Sequence, residues 1–251
     1  MDRRQLIQSV AATVAASTVV GSSRHLMASA SSQSEDKLAD GSVVLFQGDS
    51  ITDAARDKKK LAKRPNDAKA LGNGYPVFIA SELLRDFPTK KLKFFNRGIS
   101  GNKVPNLQKR WQKDCFDLKP NMLSIMIGVN DMWHKMSGRY DGTVEDYRTG
   151  FTELLESTKN ELPEIQLVIC EPFALRIGAV KDSWFPEFDD RRAVAAEVAK
   201  AAGAIWVPFQ TMFDTAIESG AEAKIWAHDG VHPSLAGHSL MAATWRKCVG
   251  I

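Results

Sequence analysis

From Ser42 onward, apolar positions along the chain switch repeatedly between two patterns. Short runs dominated by β-branched, aromatic and aliphatic residues occur at Val43–Phe46, Leu92–Phe95, Met122–Ile127, Gln166–Cys170 and Ala204–Val207. Runs of this length without polar alternation read as strands buried on both faces. Between them, apolar residues recur at helical spacing. Tyr75–Phe87 carries Val77, Phe78, Ala80, Leu83 and Leu84 on one stripe and stops before Pro88. Further helices are predicted over Val104–Phe116, Val144–Leu162 (ended by Pro163), Phe188–Ala202 and, more briefly, Met212–Glu218. Ser234 is placed to cap a last helix from Leu235 to about Lys247. Strand and helix alternating in this way predict an α/β fold, a parallel sheet with helices on both faces.

The polar residues are as ordered as the apolar ones. The first strand runs into Gly48-Asp49-Ser50, the second into Asn96-Arg97-Gly98-Ile99-Ser100-Gly101-Asn102, and the third into Gly128-Val129-Asn130-Asp131. Asp229-Gly230-Val231-His232-Pro233 immediately precedes the last helix. In open parallel sheets, ligands bind at the carboxyl ends of the strands. Three strand ends and one pre-helix loop are therefore expected to converge on one site.

Those residues suit acyl transfer. A serine hydroxyl is a weak nucleophile until a base takes its proton. His232 is the candidate base, a role worth roughly 10²–10⁴ in rate. Asp229, three residues earlier, could hold the imidazole Nδ1–H from within the same loop. The backbone N–H groups of Ser50 and Gly101 and the side-chain amide of Asn130 are the available donors for an oxyanion. Each element also has a plainer counterpart: Ser50 as a helix cap, Gly98 and Gly101 as turn glycines, Asn130 as a cap, Asp229 and His232 as an ordinary loop pair. The combination, in this order and at matching strand ends, favours catalysis.

Composition narrows the classes. The 251 residues, 44% apolar and 25% charged, suit an ordinary globular domain, and a net charge of +3 gives no reason to invoke nucleic acid. The basic stretch Lys58-Lys59-Lys60 through Lys63-Arg64 reads as a solvated loop. Cys115, Cys170 and Cys248 are widely spaced and form no Cys-x-x-Cys; one bridge between two of them stays open. No zincin helix, P-loop or dinucleotide fingerprint is present, so neither metal nor cofactor is expected. His134 and His228 read as polar residues at the rim. Trp133 and the Trp184-Phe185 pair fall in loops around Ser50, where a tryptophan can stack on a sugar face or simply anchor its loop; Trp133, Trp184 and His228 are candidate substrate contacts.

The first residues belong to a different kind of segment. Arg3-Arg4 precedes an alanine-rich, mildly apolar run, and Met27-Ala28-Ser29-Ala30 offers an A-x-A cleavage pattern. A Tat-like export signal over 1–30, a linker over 31–41 and a catalytic domain over 42–251 are expected, with the mature protein periplasmic or extracellular. The apolar run is too short and too polar for stable membrane insertion.

The four polar blocks resemble those of the SGNH hydrolases, the GDSL esterase/lipase family: Gly48-Asp49-Ser50-Ile51-Thr52, Asn96 through Asn102, Gly128 through Asp131, and Asp229-x-x-His232-Pro233. The resemblance covers about residues 42–248. It implies a three-layer α/β/α sandwich around a flavodoxin-like five-stranded parallel sheet, with Ser50, His232 and Asp229 as the triad. It also implies Ser50, Gly101 and Asn130 as oxyanion donors, with Asp49, Thr52, Asn96 and Asp131 supporting the site from behind. Within the family, Ser124-Ile-Met-Ile-Gly-Val-Asn-Asp131 followed by Trp133, and Val231-His-Pro-Ser-x-Ala-Gly-His238, look most like bacterial acetylxylan and related carbohydrate acetylesterases. One position departs. Those esterases often place Trp directly before the catalytic Asp, whereas here that residue is His228, with Trp226 two residues earlier. The expected activity is O-deacetylation of a polysaccharide or oligosaccharide through an acyl-enzyme. A broad short-chain carboxylesterase, lysophospholipase or thioesterase is the alternative, and a non-catalytic carbohydrate-binding protein a third.

Overall fold

A computed structural model describes residues 37–59 and 63–251. The predicted export signal, and residues 31–36 of the predicted linker, lie outside the described residues, as do residues 60–62 of the basic loop.

The strands are β1 (Val43–Gly48), β2 (Lys93–Asn96), β3 (Met122–Met126), β4 (Gln166–Cys170) and β5 (Ile205–Val207). Among the described residues they form one five-stranded, wholly parallel sheet in the order β2-β1-β3-β4-β5. The helices are α1 (Ser50–Asp53), α2 (Ala68–Leu71), α3 (Tyr75–Asp86), α4 (Val104–Asp114), α5 (Val129–Met136), α6 (Val144–Glu161), α7 (Glu187–Ala201), α8 (Phe209–Glu218), α9 (Ala223–Trp226) and α10 (Leu235–Val249).

Period-two alternation assigns strand side chains to two cores. Val44 and Phe46 of β1 pack with Tyr75, Ile79 and Leu83 of α3, Phe209 and Phe213 of α8, and Met241 and Trp245 of α10. Leu45 faces the other way, toward Leu107 and Trp111 of α4, Phe151 and Leu154 of α6, and Val194 and Val198 of α7. The strands are mostly apolar because both faces are covered, and the result is the expected α/β/α sandwich. Trp245 fixes one layer: its ring sits 5.8 Å from that of Phe46, and its Nε1–H donates to Ser124 Oγ at 3.0 Å. Truncating such a side chain to alanine typically costs about 3–5 kcal/mol. Leu38 is already buried in this core, ahead of the predicted domain start at residue 42.

The chain leaves β1 for β2 on one side and returns to β3 on the other, so the strand order reverses at β1. Crevices at such a reversal, beyond the carboxyl ends of the strands, are where open α/β sheets bind ligands. Register aligns the two critical ends, with Gly48 of β1 paired to Met126 of β3.

Several boundaries differ from the sequence reading. β1 continues through Gln47 and Gly48, and β2 is shifted to end on Asn96, because neighbouring strands supply ladder partners that local composition does not reveal. α5 begins at Val129 within a stretch read only as a turn; Gly128 precedes it, and Val129 and Met132 turn its apolar side inward. The long polar loop after β1 contains α2, capped by Asp67, whose side chain accepts from the N–H groups of Lys69 and Ala70. α8 starts at Phe209, before the predicted Met212, and α9 was not anticipated. Ser234 caps α10, its hydroxyl accepting from Gly237 N–H at 3.1 Å. All three cysteines are free, which removes the option of a bridge between two of them. No described helix is long and apolar enough to cross a membrane.

Candidate active site

Ser50 is the first residue of α1, two positions after the last residue of β1. Asp49 caps that short helix, its Oδ1 accepting from Ile51 N–H at 3.0 Å. A strand that ends in a glycine and a helix that begins within two residues leave the serine on a sharp turn at the sheet edge.

The loop before α10 meets it there. Ser50 Oγ lies 2.9 Å from His232 Nε2, and His232 Nδ1 lies 2.7 Å from Asp229 Oδ2. A carboxylate only accepts, so the imidazole proton sits on Nδ1, and the bare Nε2 accepts from the serine hydroxyl. Asp229 Oδ1 additionally accepts from the N–H groups of Val231 at 2.9 Å and His232 at 2.7 Å. Burial pushes the Asp229 carboxyl up, but the imidazole and backbone donors outweigh it and hold the group below the ordinary carboxylate value. The loop therefore organises itself: one carboxylate fixes the backbone, the ring orientation and the tautomer.

The turn after β2 is held from underneath. Asn96 donates to the carbonyls of Thr52 at 2.5 Å and Leu71 at 2.7 Å, and accepts from Gly98 N–H at 2.8 Å. Thr52 Oγ1 pairs with Tyr75 OH at 3.0 Å. A methyl group at Gly98 would fall 2.4 Å from Asp53 N, so only glycine lets this turn lie on α1. Asp53 secures its far side, accepting from the N–H of Ser100 at 2.9 Å and its hydroxyl at 3.0 Å. Burial opposes ionisation of Asp53, yet Lys58 and those two donors lower its pKa. Gly101 follows at φ +79, in the left-handed region that favours glycine. Across from it, on α5, Asn130 donates through Nδ2 to Asn102 O at 3.2 Å, which joins the turns after β2 and β3.

Two buried carboxyls complete the floor. Asp49 and Asp131 are fully shielded from solvent, and burial pushes each up to about 7. Arg191 and Lys103 act against the rise at Asp131, and the charge of Asp49 adds to it. Neither oxygen of Asp131 and not Oδ2 of Asp49 has a hydrogen-bond partner among the described residues.

The aromatic candidates divide. Trp133, half-buried on α5, places its ring 5.8 Å from that of His232. Trp184 is only 2% exposed, packed against Trp133 at 5.8 Å and Phe188 at 6.2 Å. It thus corrects the expectation that it touches substrate: its faces are covered, and it backs the ring of Trp133 instead. His228 is exposed on the loop just before Asp229.

A serine relayed through imidazole to carboxylate, with Gly101 and Asn130 on adjoining turns, is an arrangement for acyl transfer. A model of the GDSL-like lipase/acylhydrolase family matches residues 46–240. The chain belongs to this family. It is a carboxylic ester hydrolase. It is 30% identical over 218 residues to an acetylxylan esterase of Geobacillus stearothermophilus, covering 85% of this chain and 96% of that protein. Among solved structures, a protein of Parabacteroides merdae described as a GDSL-like lipase is 46% identical, with a TM-score of 0.82 over 85% of this chain and 97% of the other. LAE5, an alpha/beta hydrolase enzyme from the metagenome of Lake Arreo, is 32% identical with a TM-score of 0.76, over 85% and 97% of the two chains.

Sequence reasoning gives no site role to Asp53 or Lys103, and places His134 at the rim without its contact with Lys103. Asp53 ends the first polar block, and that placement was a usable signal. The other two lie on α4's approach and on α5, and nothing in their local sequence shows that they meet.

Proposed function

We propose that this esterase removes O-acetyl groups from a polysaccharide or its oligosaccharide fragments, with Ser50 as nucleophile, His232 as general base and acid, and Asp229 as the acid that orients it. The relay from Ser50 Oγ to His232 Nε2 at 2.9 Å, and on to Asp229 at 2.7 Å, carries the mechanistic part. Ser50 Oγ attacks the ester carbonyl carbon as its proton passes to His232 Nε2. The resulting oxyanion takes hydrogen bonds from the N–H groups of Ser50 and Gly101 and from the Asn130 amide. Asp229 stabilises the imidazolium and keeps its Nδ1–H in place. Collapse breaks the C–O bond to the sugar, and the imidazolium returns the proton to the leaving alkoxide. Water, deprotonated by the same imidazole, then releases acetate and restores Ser50.

The substrate assignment draws on the acetylxylan esterase relative and on Trp133, whose half-buried ring beside His232 offers an apolar face on the leaving-group side. The likeness to a GDSL-like lipase favours a second reading, a broader carboxylesterase. Export to the periplasm or beyond is supported by the twin arginine and the A-x-A pattern of residues outside the described range.

Nitrophenyl esters of rising acyl length, alongside acetate release from acetylated xylan, test both parts. Ser50→Ala is expected to cost on the order of 10⁴-fold or more in turnover; near-native activity would remove the mechanism. Faster hydrolysis of butyryl or longer esters than of acetyl esters, without acetate release from the polysaccharide, favours the broader carboxylesterase.

A further inference from the structure

His134 is not part of the relay, yet it borders the oxyanion turn. A Cβ on Gly101 would lie 3.6 Å from His134 Cε1 and 3.9 Å from its Nε2, so the Cε1–Nε2 edge of the imidazole faces the glycine across open space that a side chain would fill. The opposite edge is taken. Lys103 Nζ sits 3.2 Å from His134 Nδ1, and the same ammonium lies over the Tyr140 ring, 4.9 Å from its centroid.

That pairing settles the tautomer. An ammonium has three donors and no lone pair, so Nδ1 must be the acceptor and the ring proton must reside on Nε2. Burial, Lys103 and Arg139 all disfavour a second proton on the ring. A neutral imidazole thus presents one N–H beside Gly101. His232 is the mirror case: there a carboxylate on Nδ1 makes Nε2 an acceptor, while here an ammonium on Nδ1 makes Nε2 a donor.

The alcohol half of the ester is the natural acceptor. His134 follows Trp133 on α5, and Trp133 lies against His232, the group that returns a proton to the leaving alkoxide. A methyl acyl group has no atom for an N–H to bind, whereas a sugar has hydroxyls and a ring oxygen next to the acylated position.

We propose that His134 is a substrate-binding residue whose Nε2–H, fixed as a donor by Lys103, hydrogen-bonds a hydroxyl or ring oxygen of the carbohydrate leaving group. Lys103 is the positioning residue. The inference rests on the carbohydrate-ester reading above and deepens it.

The test compares kcat and KM for 4-nitrophenyl acetate, whose alcohol has no sugar oxygens, with those for acetylated xylo-oligosaccharides. His134→Ala is expected to lower kcat/KM for the sugar ester about 5- to 10-fold more than for nitrophenyl acetate, mostly through KM. His134→Gln, which keeps a side-chain N–H, should recover most of that selectivity. Lys103→Met should lower the ratio by a smaller factor, and ¹⁵N NMR of the imidazole should pass from the Nε2–H tautomer to a mixture. If His134→Ala moves both substrates equally, or the Gln variant recovers nothing, the inference is overturned while the carbohydrate reading stands. If the wild-type enzyme cleaves nitrophenyl acetate but no acetylated sugar, both are overturned. Thermal melts of each variant separate loss of fold from loss of binding.

Discussion

Two sets of carboxyl groups surround Ser50, and the protein treats them in opposite ways. Asp229, in the loop before α10, accepts two backbone N–H groups and the imidazole Nδ1–H, and its pKa is lowered. Asp49 and Asp131, on the floor under the serine, have unpartnered oxygens and are pushed up to about 7. All three are aspartates within the same site. The difference is in donors: the loop folds back on its own carboxylate with two backbone N–H groups and the imidazole, whereas on the floor Asp49 accepts one N–H, from Ile51, and neither oxygen of Asp131 has a partner among the described residues. The loop buys a fixed charge with hydrogen bonds, and the floor carries carboxyls that are costly to ionise.

The sharpest way to break that contrast is to take the charge from the loop. Asp229→Asn would set an amide against Nδ1 and invert the His232 tautomer, so that Nε2 no longer accepts from Ser50. Turnover is expected to fall on the order of 10⁴-fold with little change in melting temperature. Retention of more than a tenth of the activity would mean that Asp229 is a structural loop residue only.

Asn130 and Asp131 are neighbours on α5, one reaching the turn of Asn102 and the other buried in the floor, so Asn130 tests where the two regions meet. Asn130→Ala is expected to lower kcat about 10²–10³-fold with a smaller change in KM, because an oxyanion donor acts in the transition state. A rise in KM at constant kcat would instead identify a substrate-binding amide.

The smallest expected effect comes from the floor and concerns stability. A folded Asp49 carboxyl keeps its proton up to about 7, while an unfolded one releases it near about 3.9. Between these values the native state binds more protons, so rising pH erodes stability through that window, and above it the penalty is constant. Asp49→Asn keeps an acceptor for Ile51 N–H and does not titrate. Its melting temperature relative to wild type should therefore climb between pH 4 and 7 and then level off. Each kcal/mol recovered corresponds to about 2–4 °C for a chain of this size. A difference that stays flat with pH would show that the Asp49 carboxyl is ionised in the folded protein throughout.

Much of this was legible before any coordinates. Apolar runs bounded by glycine and proline located all five strands, since a strand buried on both faces must be apolar along its length. Asp229 and His232 share one short loop, where spacing alone lets them meet, and Gly48-Asp49-Ser50, Gly101 and Asn130 stand at or just after strand ends that a parallel sheet gathers at one edge. The misses share a cause. The turn expected at Gly128–Asp131 is the start of α5, whose polar residues face the site and the floor and hide its short apolar stripe. The loop position of Trp184 is compatible with both substrate stacking and anchoring, and only tertiary packing decides that other rings cover it.

The one-dimensional order of residues thus determined the strand–helix alternation and set the candidate reactive groups at its turns, because periodicity and local turn chemistry act over a few residues. Only the tertiary structure decided what each group became. Ser50 and His232 are 182 residues apart and meet because the sheet order brings both to one edge. Lys103 and His134 meet through packing of distant elements, and the partner each imidazole found, ammonium or carboxylate, made one a donor and the other an acceptor.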